Sequence, residues 1–173
     1  MKAFSNQGFR LREASLETRL AYTGFLILTA LGLLTNLGFQ VARIGLTLER
    51  IAIYYRGGEL KEAMAFPKTF GQLLELTHFH TFTMAIIFLV LAHLLIATSI
   101  KPATKYTLIA LAFASPLADL AGPWLIRYLS PEFALLQLLS WLLGWIGYGG
   151  MILIPLYEMW FAPNISLRGS NGT

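Results

Sequence analysis

The sequence predicts an all-α integral membrane protein: four transmembrane helices in an antiparallel bundle, with an amphipathic connector between the first and the second. Three observations carry that expectation. Hydrophobic residues make up 56% of the 173 residues and charged residues only 13%, about half the share of an ordinary soluble domain. Mean hydropathy is +0.62. The apolar residues are also gathered into four runs, each long enough to cross ~30 Å of hydrocarbon at ~1.5 Å per residue. With 13 Lys and Arg and 9 Asp and Glu, the chain has too little charge to cover a water-facing surface. That argues against a soluble enzyme, a nucleic-acid binder or a disordered tail. The sequence contains no cysteine, which excludes disulfides, thiolate nucleophiles, Cys-ligated zinc and Fe–S clusters.

Residues 1–19 form a polar N-terminal segment with Lys2, Arg10, Arg12 and Arg19. The first span, about 20–42, is too long for the apolar core of a cleaved leader and reads as a retained helix. The connector follows at 43–71. In its stretch RIGLTLERIAIYYR, Ile44, Leu48, Ile51 and Tyr55 fall at helical steps with Arg43, Glu49, Arg50 and Arg56 between them. This pattern suits a helix that extends the first span or lies in the membrane interface. Gly57-Gly58 ends it, and FPKTFG at 66–71 forms a turn.

The second span, about 72–100, carries all three histidines, His78, His80 and His93. The third, about 106–128, holds Asp119 between Pro116 and Pro123. The fourth, about 133–161, holds Gly144, Gly147, Gly149, Gly150 and Pro155. Short links at 101–105 and 129–132 make helical hairpins of successive spans. Residues 20–161 thus form one transmembrane domain, and 162–173 a C-terminal tail. Tyr54, Tyr55, Trp124, Tyr128 and Trp160 sit at span ends, as an interfacial aromatic belt requires.

Basic residues set the expected orientation. The N-terminal segment and the 101–105 link are basic without balancing acids in the link, which places both termini in the cytoplasm of a bacterial inner membrane. The connector opposes this with Arg43, Arg50, Arg56, Lys61 and Lys68.

Polar groups inside a bilayer are costly and so are the first functional candidates. Asn36, Gln40, Glu75, His78, His80, Asp119 and Gln137 come from four spans, yet all fall in the outer third. The inner half offers His93, with Tyr22, Met151 and Glu158 as possible neighbours. Solvated helix ends are the plain alternative for Gln40, Glu75 and Gln137. Asp119 lies deeper, ~12 Å below the outer end.

His78 and His93 are 15 residues apart, a rise of ~22 Å with ~60° between them around the axis. Two such histidines could carry stacked b haems, since imidazole is a good axial ligand. The four-turn spacing resembles the ligand helix of cytochrome-b-type membrane proteins, over this helix alone. Three histidines on one helix leave axial ligands to be found. A homodimer sharing haems, a Met84 or Met151 ligand, five-coordinate haem and a further subunit all remain open. The glycines at 144, 147 and 150 could admit a porphyrin, or equally let two helices pack closely.

The expected function is a small b-haem-type electron-transfer protein or membrane anchor, passing electrons between a quinone and an external redox partner as part of a membrane oxidoreductase. It would act as a homodimer or as a subunit of a larger redox complex. His78 and His93 are the candidate axial ligands, with His80 the substitute for His78. Asp119 and Glu75 would carry protons or fix an imidazole tautomer. The rival is a non-catalytic membrane protein, a sensor, scaffold or transport accessory, whose outer His/Asp pocket binds a metal or a partner. In that case His78, His80 and His93 are the metal-ligating candidates. A third reading makes the histidines purely structural.

Overall fold

Long apolar runs bounded by good caps dictate the architecture of the computed structural model, which describes residues 9–60 and 63–162. Helix α1 spans Leu16–Phe39 and runs on through a π turn at Gln40–Ile44. A short helix α2 covers Leu48–Arg56, and strands β1 (Gly58–Leu60) and β2 (Ala63–Ala65) pair antiparallel behind it. The remaining spans are α3 (Phe70–Ile96), α4 (Pro102–Tyr128) and α5 (Ala134–Trp160), the last preceded by a 3-10 turn at Pro131–Phe133. All four long helices are apolar and long enough to cross a membrane. The expected antiparallel four-helix membrane bundle is therefore the fold.

Local chemistry sets the boundaries. The Ser15 hydroxyl accepts from Thr18 N–H and starts α1 before the expected residue 20. Thr69 and Gln72 form a reciprocal capping box at the start of α3. Pro102 in the first turn of α4 starts that helix four residues earlier than the hydropathy suggests. The expected tail at 162–173 lies outside the described residues apart from Ala162, as do the first eight residues with Lys2, and Lys61 and Glu62 in the connector.

One end of the bundle, here the α2 end, gathers the C-termini of α1 and α4 and the N-termini of α3 and α5. The connector helix caps this end rather than lying free in the membrane interface. Ile51 and Tyr55 are buried against Ile126 and Trp141, and Arg56 donates to Ile126 O at 2.8 Å. Gly57 ends α2 at φ +80°, where a Cβ would also meet the Pro67 ring. The β-hairpin that follows was not legible as strand in the sequence.

The opposite end is tied by cations on carbonyls. Arg19 donates to Ala14 O, Arg12 O and Met159 O at 3.0, 2.7 and 2.7 Å. Lys105 does the same for Ile96 O and Thr98 O at the C-terminus of α3. Leu11 is fully buried beneath the α3–α4 turn, with its N–H on Ala97 O.

Glu158 is also buried there. Its carboxylate accepts from Ser99 N–H at 2.7 Å and from the Ser99 hydroxyl at 2.8 Å. It therefore serves the α3–α4 turn and not His93. Glu158→Ala should lower stability by about 1–3 kcal/mol, because it strands a buried N–H, while Glu158→Gln keeps an acceptor and loses less. Thermal unfolding in detergent measures the difference.

Packing is uneven. Helices α4 and α5 lie closest: a Cβ on Gly147 would press Ala112 N at 3.1 Å, and one on Gly150 the Leu108 side chain at 2.8 Å. The glycine strip is a helix-packing seam. Helix α1 is the least covered, with Leu26 its one fully buried residue. It is held at Arg19 and by Trp160 Nε1 on Thr23 Oγ1 at one end, and through Ile44 at the other. Between those anchors Leu26 packs into the core with Phe25, Ala30 and Leu33 against it, and a gap opens beside them. Large apolar side chains such as Phe79, Phe82 and Ile86 are about two-thirds exposed, a surface that only lipid contact accommodates.

Candidate functional site: a lateral cavity closed by His80 and Asp119

The gap beside α1 is a cavity of about 560 Å³ among α1, α3 and α5, within the size range of small-molecule sites. Its walls are apolar and aromatic, including Phe25, Leu33, Met84, Phe88 and Trp145. Five polar residues gather toward the α2 end, Asn36 and Gln40 from α1, His80 from α3, Asp119 from α4 and Ser140 from α5, while Thr29, Thr83 and Tyr148 lie further along. A second cavity of about 290 Å³ shares Asn36, Gln40, His80, Asp119 and Trp141 with the first.

Asp119 is fixed by two donors from α5. Trp141 Nε1 donates to Oδ1 at 2.8 Å, and Gln137 Nε2 donates to the same oxygen. Gln137 and Trp141 are four residues apart and so share a face of α5. Gln137 is fully buried, with its Oε1 lacking a donor among the described residues and its amide lying on Gly122. No lysine or arginine pairs with Asp119 among the described residues; the salt bridge they contain, Arg12–Glu13 at 3.8 Å, lies at the opposite end of the bundle. Pro123 has no N–H, so the Asp119 carbonyl loses its usual i+4 donor, and α4 is locally loosened where the carboxylate projects.

His80 presents its imidazole to both cavities. Its Nδ1 lies 2.9 Å from Leu76 O. A carbonyl only accepts, so Nδ1 carries a proton and donates it, which leaves Nε2 as the ring nitrogen turned to other partners. Tyr55 lines the smaller cavity from α2. Burial, and then the nearby Asp119 charge, push its phenol well above the ordinary tyrosine range. Its hydroxyl therefore stays protonated and able to donate.

Each sequence-derived candidate can now be placed. Asn36, Gln40, His80, Asp119 and Gln137 converge, as their common depth implied. His78 does not join them: it is exposed on the outer face of α3, its ring edge-on to Phe79 and Phe82 at 5.9 and 5.3 Å. Glu75 is exposed on the same helix. His93 is exposed toward the opposite end, with Nδ1 2.8 Å from Leu89 O. The ~60° that separates His78 from His93 thus spans the lipid side of α3, and His80 turns inward. Among the described residues, no three His, Asp or Glu side chains gather as a metal-ligand set.

Trp141, Ser140 and Tyr55 are site residues that sequence reasoning did not assign. The spacing of Trp141 to Gln137 was the available signal for the first. Tyr55 reaches the site only because α2 folds back.

No curated protein and no solved structure matches this chain. A family model does match, over residues 45–166, which takes in α2 to α5 and leaves α1 outside. Four long apolar helices, an exposed apolar circumference and this match agree. The chain belongs to the Aq_1264_TM family, described as a transmembrane helical domain.

Proposed function

We propose that the chain is a membrane-embedded electron-transfer subunit whose lateral cavity binds a quinone-class molecule. The observation that carries this reading is the cavity itself: apolar, aromatic walls toward the bundle's middle, with an imidazole and a carboxylate at one end. A quinone has the matching anatomy, a flat ring with polar oxygens and an apolar tail, and the gap beside α1 gives the tail a route to lipid. His80 and Asp119 would hold the two sides of the head group. Oxidation of a bound quinol releases two protons and two electrons. Asp119 and His80 Nε2 would take the protons, and an external one-electron carrier would take the electrons in turn. Glu75, exposed on α3, would serve only as a surface proton relay.

Haem b is the second reading, favoured by one observation. His80 and His93 both donate Nδ1–H to the carbonyl four residues back, which leaves Nε2 free as axial ligation requires. Within one chain no second imidazole faces His80 across the cavity, so a bis-histidine haem does not fit the single chain. It would need a homodimer or a larger redox complex in which His78 or His93 meets a ligand of a second subunit. The rival metal-binding reading has one imidazole and one carboxylate to offer, fewer than a closed site uses. We further propose a bacterial inner-membrane location with the α2 end outside the cytoplasm, on the basic-residue count.

Titrating the protein in nanodiscs with a short-tailed quinone should quench the fluorescence of Trp141 and Trp145, which line the cavity. His80→Ala and Asp119→Asn should each weaken binding ~10–100-fold, the loss of one strong hydrogen bond. Unchanged affinity in both variants would sink the quinone reading, and a Soret band in the purified protein would favour haem.

A further inference from the structure

The smaller cavity meets the lateral one at Asn36, Gln40, His80, Asp119 and Trp141. It runs from Asp119 toward the α2 end, past Tyr54, Tyr55, Leu76, Leu120 and Pro123. At about 290 Å³ it has room for several waters at ~30 Å³ each. A buried water needs two to four polar partners, and the walls supply them. Gln40 Oε1 is buried without a donor among the described residues, and Gln40 lines both cavities at the point where they meet. Asp119, His80, Tyr54 and Tyr55 also line the smaller cavity and carry the other polar groups.

The way to the opposite face is shut. Phe88 stacks on Tyr148 at 4.5 Å and 10° beside the cavity. Beyond that pair lie Leu91, Leu95, Ala112 and Met151, all fully buried. Counting along α4, Asp119 is ~13 Å from the α2 end and ~25 Å from the other.

The geometry points to a water-filled access path from the α2 face to Asp119 and His80, closed toward the opposite face. The site then exchanges protons with one aqueous compartment only. A proton passes from hydronium at the α2 face through the waters to Asp119 Oδ2 or His80 Nε2, and returns the same way with no bond to carbon made or broken. This holds whatever occupies the lateral cavity, so it can fail or stand apart from the quinone reading.

The chain's lack of cysteine allows a direct test with single cysteines in proteoliposomes, since a thiol reacts with a charged methanethiosulfonate only as a hydrated thiolate. Glu59→Cys, on the exposed hairpin, marks the vesicles whose α2 face is outward. Leu120→Cys, on the path wall, should label from outside in that same fraction of vesicles. Met151→Cys, behind the Phe88–Tyr148 stack, should stay unlabelled from either side. Adding Gln40→Leu to Leu120→Cys should slow labelling roughly tenfold, as a polar neck becomes apolar. Should Leu120→Cys fail to assemble, Leu76→Cys on the facing α3 wall gives the same reading. A path cysteine that stays protected in both orientations, or labels without regard to the Glu59→Cys fraction, would overturn the path. Labelling of Met151→Cys would overturn its closure.

Discussion

Gly122→Ala should destabilise the protein by about 1–3 kcal/mol, the cost of forcing an extra methyl into a packed interior, and should disturb the Asp119 site at the same time. A Cβ at this position overlaps the Gln137 amide oxygen and comes within 3.0 Å of its Cδ. Gln137 is fully buried and has nowhere to retreat except along the bond it makes to Asp119. Displacing it leaves the carboxylate held by Trp141 alone. The double variant Gly122→Ala with Gln137→Ala removes the amide that the methyl strikes. It should therefore recover most of the packing loss while the site stays disturbed, giving a coupling energy of opposite sign to the single effects. Thermal unfolding of the four proteins in one detergent measures this. Additive losses would mean that the two residues do not press on each other.

Arg19→Ala should cost about 2–4 kcal/mol and loosen α1. The guanidinium donates to three carbonyls at once, and one of them, Met159 O, belongs to α5. Net hydrogen bonds to a charged group contribute ~1.5–3 kcal/mol each, less where water can replace them, as at a helix end. The consequence reaches beyond stability because α1, the least covered helix, also walls the lateral cavity. Losing one anchor should widen that cavity and weaken any ligand in it. Lysine should not rescue, because a single ammonium cannot reproduce the planar fork that reaches three acceptors. Hydrogen exchange over α1, compared between wild type, Arg19→Ala and Arg19→Lys, separates loosening of this helix from global destabilisation. Unchanged exchange in α1 would show that the carbonyl contacts are replaced by water at no cost.

The membrane fold was legible because its cause is compositional. A run such as 72–100 can satisfy its backbone in hydrocarbon only as a helix, whatever its neighbours do. The end of the connector helix was legible for the same kind of local reason, since Gly57 alone tolerates the φ of +80° found there. Depth was legible in part: counting turns placed Asn36, Gln40, Glu75, His78, His80, Asp119 and Gln137 at one level, and the structure brings five together while Glu75 and His78 face outward.

Facing direction was not legible. His78, His80 and His93 differ by fixed angles around α3, but which angle points inward depends on how α3 docks against α1 and α5. Hydropathy cannot say, because in a bilayer both the lipid face and the packed face are apolar. The sequence by itself determined the four spans, the glycine end of the connector helix and the level of the polar groups. The tertiary structure alone decided that His80 turns to Asp119 while His78 and His93 face lipid, and that the glycine strip serves helix packing. It also folded α2 back to bring Tyr55 to the site. Each of these is a rotation or a docking angle, settled by contacts between residues far apart in the chain.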